Sequence, residues 1–409
     1  MKHSARRARD LATAKLVVLA GSGGVGKTTT SAALALAYAI AGQRVLVLTI
    51  DPARRLLQAL GLQTEHASGE AVTPNVAHEV LPRLAHLLPA TQHGPGLGQG
   101  GTLHAMMLDP TTGAIAMVER LLPNPAMRDQ VLNNRIYRAF LPTLQASPDY
   151  MALELICELA QSGAYDVLVL DTPPMHNALD FLRAGHTLAS FINDRVLKWF
   201  AKVPLPGKKA TGLAGLLGTG GSMAMSVLGR LFGADTIPDV AEFFVSFQEV
   251  LPRLRDRALA TDALLRAEST HFVIVTAPGE TSLREAKHLH HTLHSHGIGA
   301  TGFVVNRVLQ LPAELRSPIN APQVVEMLAN SGVAVDRAQA LAGHLQLAAD
   351  RLRHLDIADQ EHLRSLRELA GHGGLCVAVP QREGDIHNVA QLAVLGRTVL
   401  DGARGEVVV

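Results

Sequence analysis

The sequence predicts an α/β fold, a mostly parallel sheet flanked by helices, with a helical subdomain formed by insertions between strands. Three observations predict it. Short β-branched runs that end in polar or turn residues alternate with longer helical stretches. Most of those runs are apolar throughout, as strands buried on both faces should be. Two long stretches, Leu62 to Gly163 and Leu182 to Glu268, interrupt the alternation with helical periodicity and scattered glycine and proline.

The runs place strands at Leu16 to Ala20, Arg44 to Asp51, Tyr165 to Asp171, His271 to Pro278, Gly302 to Arg307 and Leu375 to Pro380. Leu103 to Asp109 is expected as an edge strand, and His93 to Gly101 (HGPGLGQGG) reads as a flexible connector by composition. One domain over residues 1–409 follows, with its core at about 14–62, 164–182, 268–310 and 372–402. Residues 63–163 and 183–267 would form the helical subdomain, and 311–371 surface helices, among them the amphipathic LRHLDIADQEHLRSLREL. No internal repeat is present.

Composition removes several classes. With 37 basic and 36 acidic side chains the formal charge is +1, and aromatics make up 4% of the chain, so neither a basic field nor stacking platforms exist for nucleic acid. Cys157 and Cys376 form no CxxC pair, which disfavours a disulfide framework or a thiolate zinc site and fits a reducing cytosol. The basic start MKHSARRARDLATAK leads into a β-like run, and no signal peptide is read. Ala210 to Gly229 is free of charge over a span-length window, but Gly218, Gly220 and Gly221 argue against a plain spanning helix.

The run LVVLAGSGGVGKTTTSAALALAYA sets a strand, a glycine-rich turn and an Ala/Leu helix in the order that the GxxxxGK[ST] pattern requires. It points to a P-loop that binds ATP. Gly21, Gly23, Gly24 and Gly26 allow close backbone approach, so that loop amides, Val25 among them, and the helix N-terminus face phosphate oxygens. Lys27 would put a point charge on the β and γ phosphates, Thr28 would ligate Mg2+, and Thr29 would reach the α phosphate.

Such a site also needs carboxylates at the carboxyl edge of the sheet. In YDVLVLDTPP, Asp171 is the candidate for the magnesium shell, followed by a sharp turn able to sense the γ phosphate. In RVLVLTIDPARR, Asp51 is the candidate for orienting the attacking water. Taken singly, either aspartate has a less favoured structural reading as a helix N-cap or turn acid, weaker for Asp171 than for Asp51.

The segments GSGGVGKTTT, TIDPA, DTPP and VVNR, in this order, resemble the ArsA/GET family of ATPases. LHAMMLD, YMALELICEL and DTPPMHNALDFL look like motifs of its bacterial ArsA-like branch. The resemblance implies a SIMIBI-type P-loop NTPase fold and a nucleotide-gated dimer. It makes Asp51 the hydrolytic acid of a first switch and Asp171 the start of a second. It matches Asn306 to an adenine-reading asparagine and puts the segment around Pro380 over the base. Without it, Asn306 is a polar residue at a strand end, as well explained by a turn.

Three departures qualify the resemblance. Ser22 stands where the family's loop usually carries a second lysine that reaches the partner's nucleotide, which sets hydrolysis by a symmetric homodimer against a heterodimer with a related ATPase. The family's DTAPTGHT becomes DTPPMHNA, with Asn177 at the usual histidine position and His176 shifted by one. Arsenite-binding cysteines and a dimer-bridging CxxC are absent from the sequence.

Two other features stand apart from these motifs. His288, His290, His291, His294 and His296 share one helix, where His290 and His294 could approach a metal, but no cysteine or paired acid completes a ligand set and a solvated face is the expectation. The Gly/Met/Leu segment 210–233 suits either a surface for varied apolar helices or a buried helical hairpin. The expectation is thus a cytoplasmic ATPase that gates contact with a hydrophobic client or membrane protein, peripheral at a membrane where that segment meets one. A partitioning or positioning ATPase, or the ATPase subunit of a transport system, is the alternative. No terminal amphipathic anchor, basic patch or separate small-molecule motif favours the rivals, and the cluster cysteines of a nitrogenase iron protein are missing.

Overall fold

The structure is a computed structural model that describes residues 11–50, 73–80, 101–109, 124–134, 148–172, 237–382 and 388–403, with isolated positions between these runs. Asp51, His176, Asn177, the connector 93–100 and the segment 210–233 lie outside the described residues.

Eight strands form one sheet in the order β3-β4-β2-β5-β1-β6-β7-β8. They are β1 (Leu16–Ala20), β2 (Arg44–Thr49), β3 (His78–Glu79), β4 (Thr102–Met107), β5 (Val167–Asp171), β6 (Thr270–Thr276), β7 (Ala300–Val308) and β8 (Leu375–Pro380). Every described pairing is parallel except β3 with β4. The mostly parallel α/β architecture is therefore as the sequence predicts, and β1 and β8 have the expected bounds. The run at 102–107 is not an edge: β4 sits between β2 and the two-residue β3. A partner that contributes only His78 and Glu79 leaves no run of β-branched residues to read.

The helices are α1 (Lys27–Ile40), α2 (Pro125–Asn133), α3 (Pro148–Ser162), α4 (Ile237–Arg266), α5 (Glu280–Ser295), α6 (Ala313–Arg316), α7 (Ala321–Asn330), α8 (Val335–Ala370) and α9 (Val389–Ala403). Strand residues alternate between two cores. Val17, Leu19, Val45, Val47, Val169, Val273 and Val275 face α1 and α9. Leu16, Val18, Leu46, Leu168, Leu170, Phe272 and Ile274 face α3, α5 and the end of α8. A sheet covered on both faces hides both sets of side chains, which is why its strands read as unbroken apolar runs.

Helix α1 is alanine-rich and buried from Thr30 to Ile40, so it belongs to the interior. It touches α9 almost backbone to backbone. A Cβ at Gly396 would stand 2.0 Å from the Ala33 carbonyl oxygen, so only glycine permits this approach. The strand β1, the turn after it and α1 are thus seated in the middle of the sheet, where the chain order reverses and open α/β folds place their ligands. Residues 311–371 carry α6, α7 and α8 on the outside, and α8 buries only Ala338, Ala342, Ala349, Leu363 and Leu366 of its 36 residues.

Candidate nucleotide site

The turn between β1 and α1 is shaped by its glycines and by its neighbours. Gly26, the residue before α1, has φ 94, and a Cβ there would lie 2.2 Å from Asn306 Nδ2. The left-handed backbone favours glycine, and any Cβ there would have to displace the Asn306 amide. At Gly23 and Gly24 an added Cβ would meet nothing within 4 Å, so the loop opens outward there, and both residues are exposed. Lys27, the first residue of α1, is only 8% exposed. Its ammonium turns back into the loop and donates to the carbonyls of Gly21 at 2.9 Å and Ser22 at 2.6 Å.

Asp171 ends β5 in register with Leu19 of β1 and Thr49 of β2. It is 1% exposed. Its Oδ2 accepts the Thr28 hydroxyl at 2.8 Å, with Thr49 Oγ1 at 3.4 Å, and Ser31 Oγ approaches Oδ1 at 3.4 Å. A buried carboxylate requires such donors. Thr172, the next residue, binds its hydroxyl to the Leu19 carbonyl at 2.7 Å, which fixes the strand end against β1. A carboxylate oxygen and a threonine hydroxyl in direct contact beneath a lysine-bearing loop are the hard oxygen donors that a magnesium ion takes. The residues present therefore fit that ion.

Other expected site residues fall as follows. Val25 is buried, and its carbonyl accepts Asn306 Nδ2 at 3.0 Å, while Asn306 Oδ1 accepts the Arg307 amide at 3.0 Å. Asn306 thus stands beside the phosphate loop rather than in a free turn. A register irregularity in β7 between Val305 and Val308, with Arg307 at φ 60, turns it there. Pro380 closes β8 opposite Val308. Thr29 is half-buried one position beyond Thr28. Asp51 lies outside the described residues, just past the end of β2.

Three neighbours went unread in the sequence. Ser31 was legible: in KTTTS it follows Thr28 by three residues and so shares its helix face. Thr49 is visible only once β2 and β5 are in register. Glu285 of α5 accepts a hydrogen bond from Ser22 Oγ, and no local signal connects two residues 263 apart.

Among the described residues, the histidines of α5 included, no group of three or more His, Cys, Asp or Glu is gathered as a set of metal ligands. His290 is not on the solvated face either. It stacks on Phe303 with ring centroids 5.6 Å apart, and burial, with His291 and His294 nearby, lowers its pKa. It follows Ala286 by four residues, so it borders the buried stripe of Ala286, Leu289 and Leu293. Burial pushes the Cys157 and Cys376 thiols up, so neither is a ready thiolate ligand.

A mostly parallel sheet whose first strand runs into a GxxxxGKT loop, with a buried aspartate on the adjoining strand touching that threonine, is the architecture of the P-loop NTPase fold. The chain belongs to the family described as anion-transporting ATPases, whose model matches residues 14–323. Curated relatives agree with this placement. ATPase GET3B of Arabidopsis thaliana is 27% identical over 309 residues, 72% of this chain and 64% of that protein. ATPase ARSA1 of Chlamydomonas reinhardtii is 28% identical over 334 residues, 77% of this chain and 38% of its own length. The ASNA1 homolog ATPase of Trypanosoma cruzi is 26% identical over 315 residues, 75% and 78% of the two chains. The match thus spans less than two thirds of the first two of these relatives. Among the described residues no helix is long and apolar enough to cross a membrane.

Proposed function

We propose that this chain is a magnesium-dependent ATPase whose nucleotide state opens and closes a helical layer to handle a hydrophobic client or membrane protein, acting as a homodimer or with a related ATPase. The observation that carries the nucleotide part is the 2.8 Å bond between Thr28 and buried Asp171 under the loop that holds Lys27. In this reading Gly23, Gly24, Val25 and Gly26 offer backbone amides to the phosphates, and Lys27 leaves its loop carbonyls for the β and γ oxygens. Thr28 and Asp171 hold Mg2+, which when bound neutralises charge on those oxygens. Thr29 reaches the α phosphate.

Asn306 and Pro380 flank the base in the same reading. The Asn306 amide has a second hydrogen beyond the one given to Val25, so contact with the loop and contact with a base are compatible. Asp51 orients the attacking water. Asp51→Asn is expected to leave ATP affinity within about twofold of the parent while turnover falls by about a hundredfold, the size of a general-base contribution. Normal turnover in that variant removes Asp51 from the mechanism.

Client handling is supported by the resemblance of the sequence motifs to the ArsA/GET family and by the composition of 210–233. The sequence offers no basic patch for a partitioning ATPase, and the two raised thiols do not favour metalloid transport. Replacing Leu216, Leu217, Met223 and Met225 with serine is expected to spare ATP affinity and abolish co-purification of apolar helices. Equal client recovery with this variant ends the client assignment, and native mass measurement with and without ATP reports subunit number in the same samples.

A further inference from the structure

The phosphate loop is restrained at its two ends and open between them. At the far end Asn306 holds the Val25 carbonyl. At the near end contacts converge on Gly21 and Ser22. Gly21 lies so close to β6 that a Cβ would stand 2.0 Å from the Val275 carbonyl oxygen. The Ser22 carbonyl takes the Lys27 ammonium, and the Ser22 hydroxyl donates to Glu285 Oε2.

Glu285 is well placed to act as an anchor. It lies on α5 next to Ala286, 2% exposed, and four residues before Leu289, fully buried against the sheet. Thr276 at the end of β6 donates to the Ser282 carbonyl at 3.1 Å, which ties the first turn of α5 to the strand beside β1. The carboxylate therefore stands on a fixed element, whereas Gly23 and Gly24 have open space around them.

We infer that Glu285 is a positioning residue for the nucleotide: by holding the Ser22 hydroxyl it fixes the first turn of the phosphate loop, and with it the carbonyl that presents Lys27, within a single chain. This rests on the nucleotide reading of the loop. A turn ordered before the ligand arrives loses less entropy on binding, so the anchor tightens any phosphate ligand that the loop accepts. The effect falls on MgADP and MgATP alike, because the restrained residues precede the amides that face the phosphates.

The test is a cycle on the full chain with MgADP, a product that reports affinity without turnover. Ser22→Ala and Glu285→Ala are each expected to weaken MgADP about five- to tenfold, as loss of a charge-assisted hydrogen bond acting through one turn should. The double variant should be no weaker than the worse single one, the mark of coupled partners. Ser22→Thr and Glu285→Gln keep the hydroxyl and an acceptor and should stay within about twofold of the parent. Without nucleotide, amide hydrogen exchange of Gly21 to Gly24 should speed up in both alanine variants and not in the conservative ones. Singles that add in the double variant, or an unchanged Ser22→Ala, would overturn the anchor. Tighter binding in both Glu285 variants would also overturn it, since the carboxylate would then act by charge. A parent chain that binds no MgADP would defeat the nucleotide reading instead, and the exchange rates alone would then decide the anchor.

Discussion

Lys27→Ala is expected to remove tight ATP binding, weakening MgATP by about a hundredfold or more, since charge-assisted bonds to phosphate oxygens are the strong ones. Its place in the structure explains the size of the effect. Lys27 begins α1 and is 8% exposed, and its ammonium is already inside the loop, on the carbonyls of Gly21 and Ser22. A bound phosphate competes with these carbonyls for the ammonium, and an oxygen that carries full negative charge is the stronger acceptor. Alanine leaves the two carbonyls without that donor and the loop without its point charge, so affinity falls even where the backbone amides keep their positions. Calorimetric titration measures the loss, and thermal unfolding of the variant separates it from misfolding, because α1 remains fixed by its buried alanines and by α9. Unchanged affinity would refute the assignment of the loop.

The local part of this site was legible because one short segment carries it. Strand, glycine turn, Lys27 and Thr28 are contiguous, so the pattern can be read without knowing how the rest of the chain folds. Asp171 was legible for a related reason, as the carboxylate that ends an apolar run. What the sequence did not disclose depends on strand register and helix seating. Thr49 reaches Asp171 because β2 and β5 pair in the observed register. Glu285 reaches Ser22 because α5 packs beside β6. Asn306 meets the Val25 carbonyl through an irregularity in β7 that no residue pattern announces. Strand ends drifted for a simpler cause. The run RVLVLTID continues apolar to Ile50, which is 8% exposed, while the pairing stops at Thr49. Burial outlasts hydrogen bonding there, and the residue pattern reports burial.

Asp171→Asn is the second large effect, and it acts on the metal rather than on the phosphates. The substitution keeps shape and volume. Thr28, Ser31 and Thr49 meet the carboxylate through hydroxyls, and a hydroxyl that donates to a carboxylate can rotate and accept from an amide. The strand end should therefore hold, with Thr172 still bound to the Leu19 carbonyl. What disappears is a full negative charge and an anionic oxygen beside the Thr28 hydroxyl, the combination that recruits a hard cation. In the parent chain ATP should bind more tightly with magnesium than with a chelator present. In Asp171→Asn the two affinities should converge, and turnover should fall by about a hundredfold or more, as expected when the positive charge that stabilises the transferring phosphate is lost. The contrast with Asp51→Asn is diagnostic, because that change should spare the magnesium dependence of binding and slow only the chemical step. If Asp171→Asn retains the full magnesium enhancement of ATP affinity, the buried carboxylate under the loop is a structural clasp for Thr28, and the ion is held elsewhere.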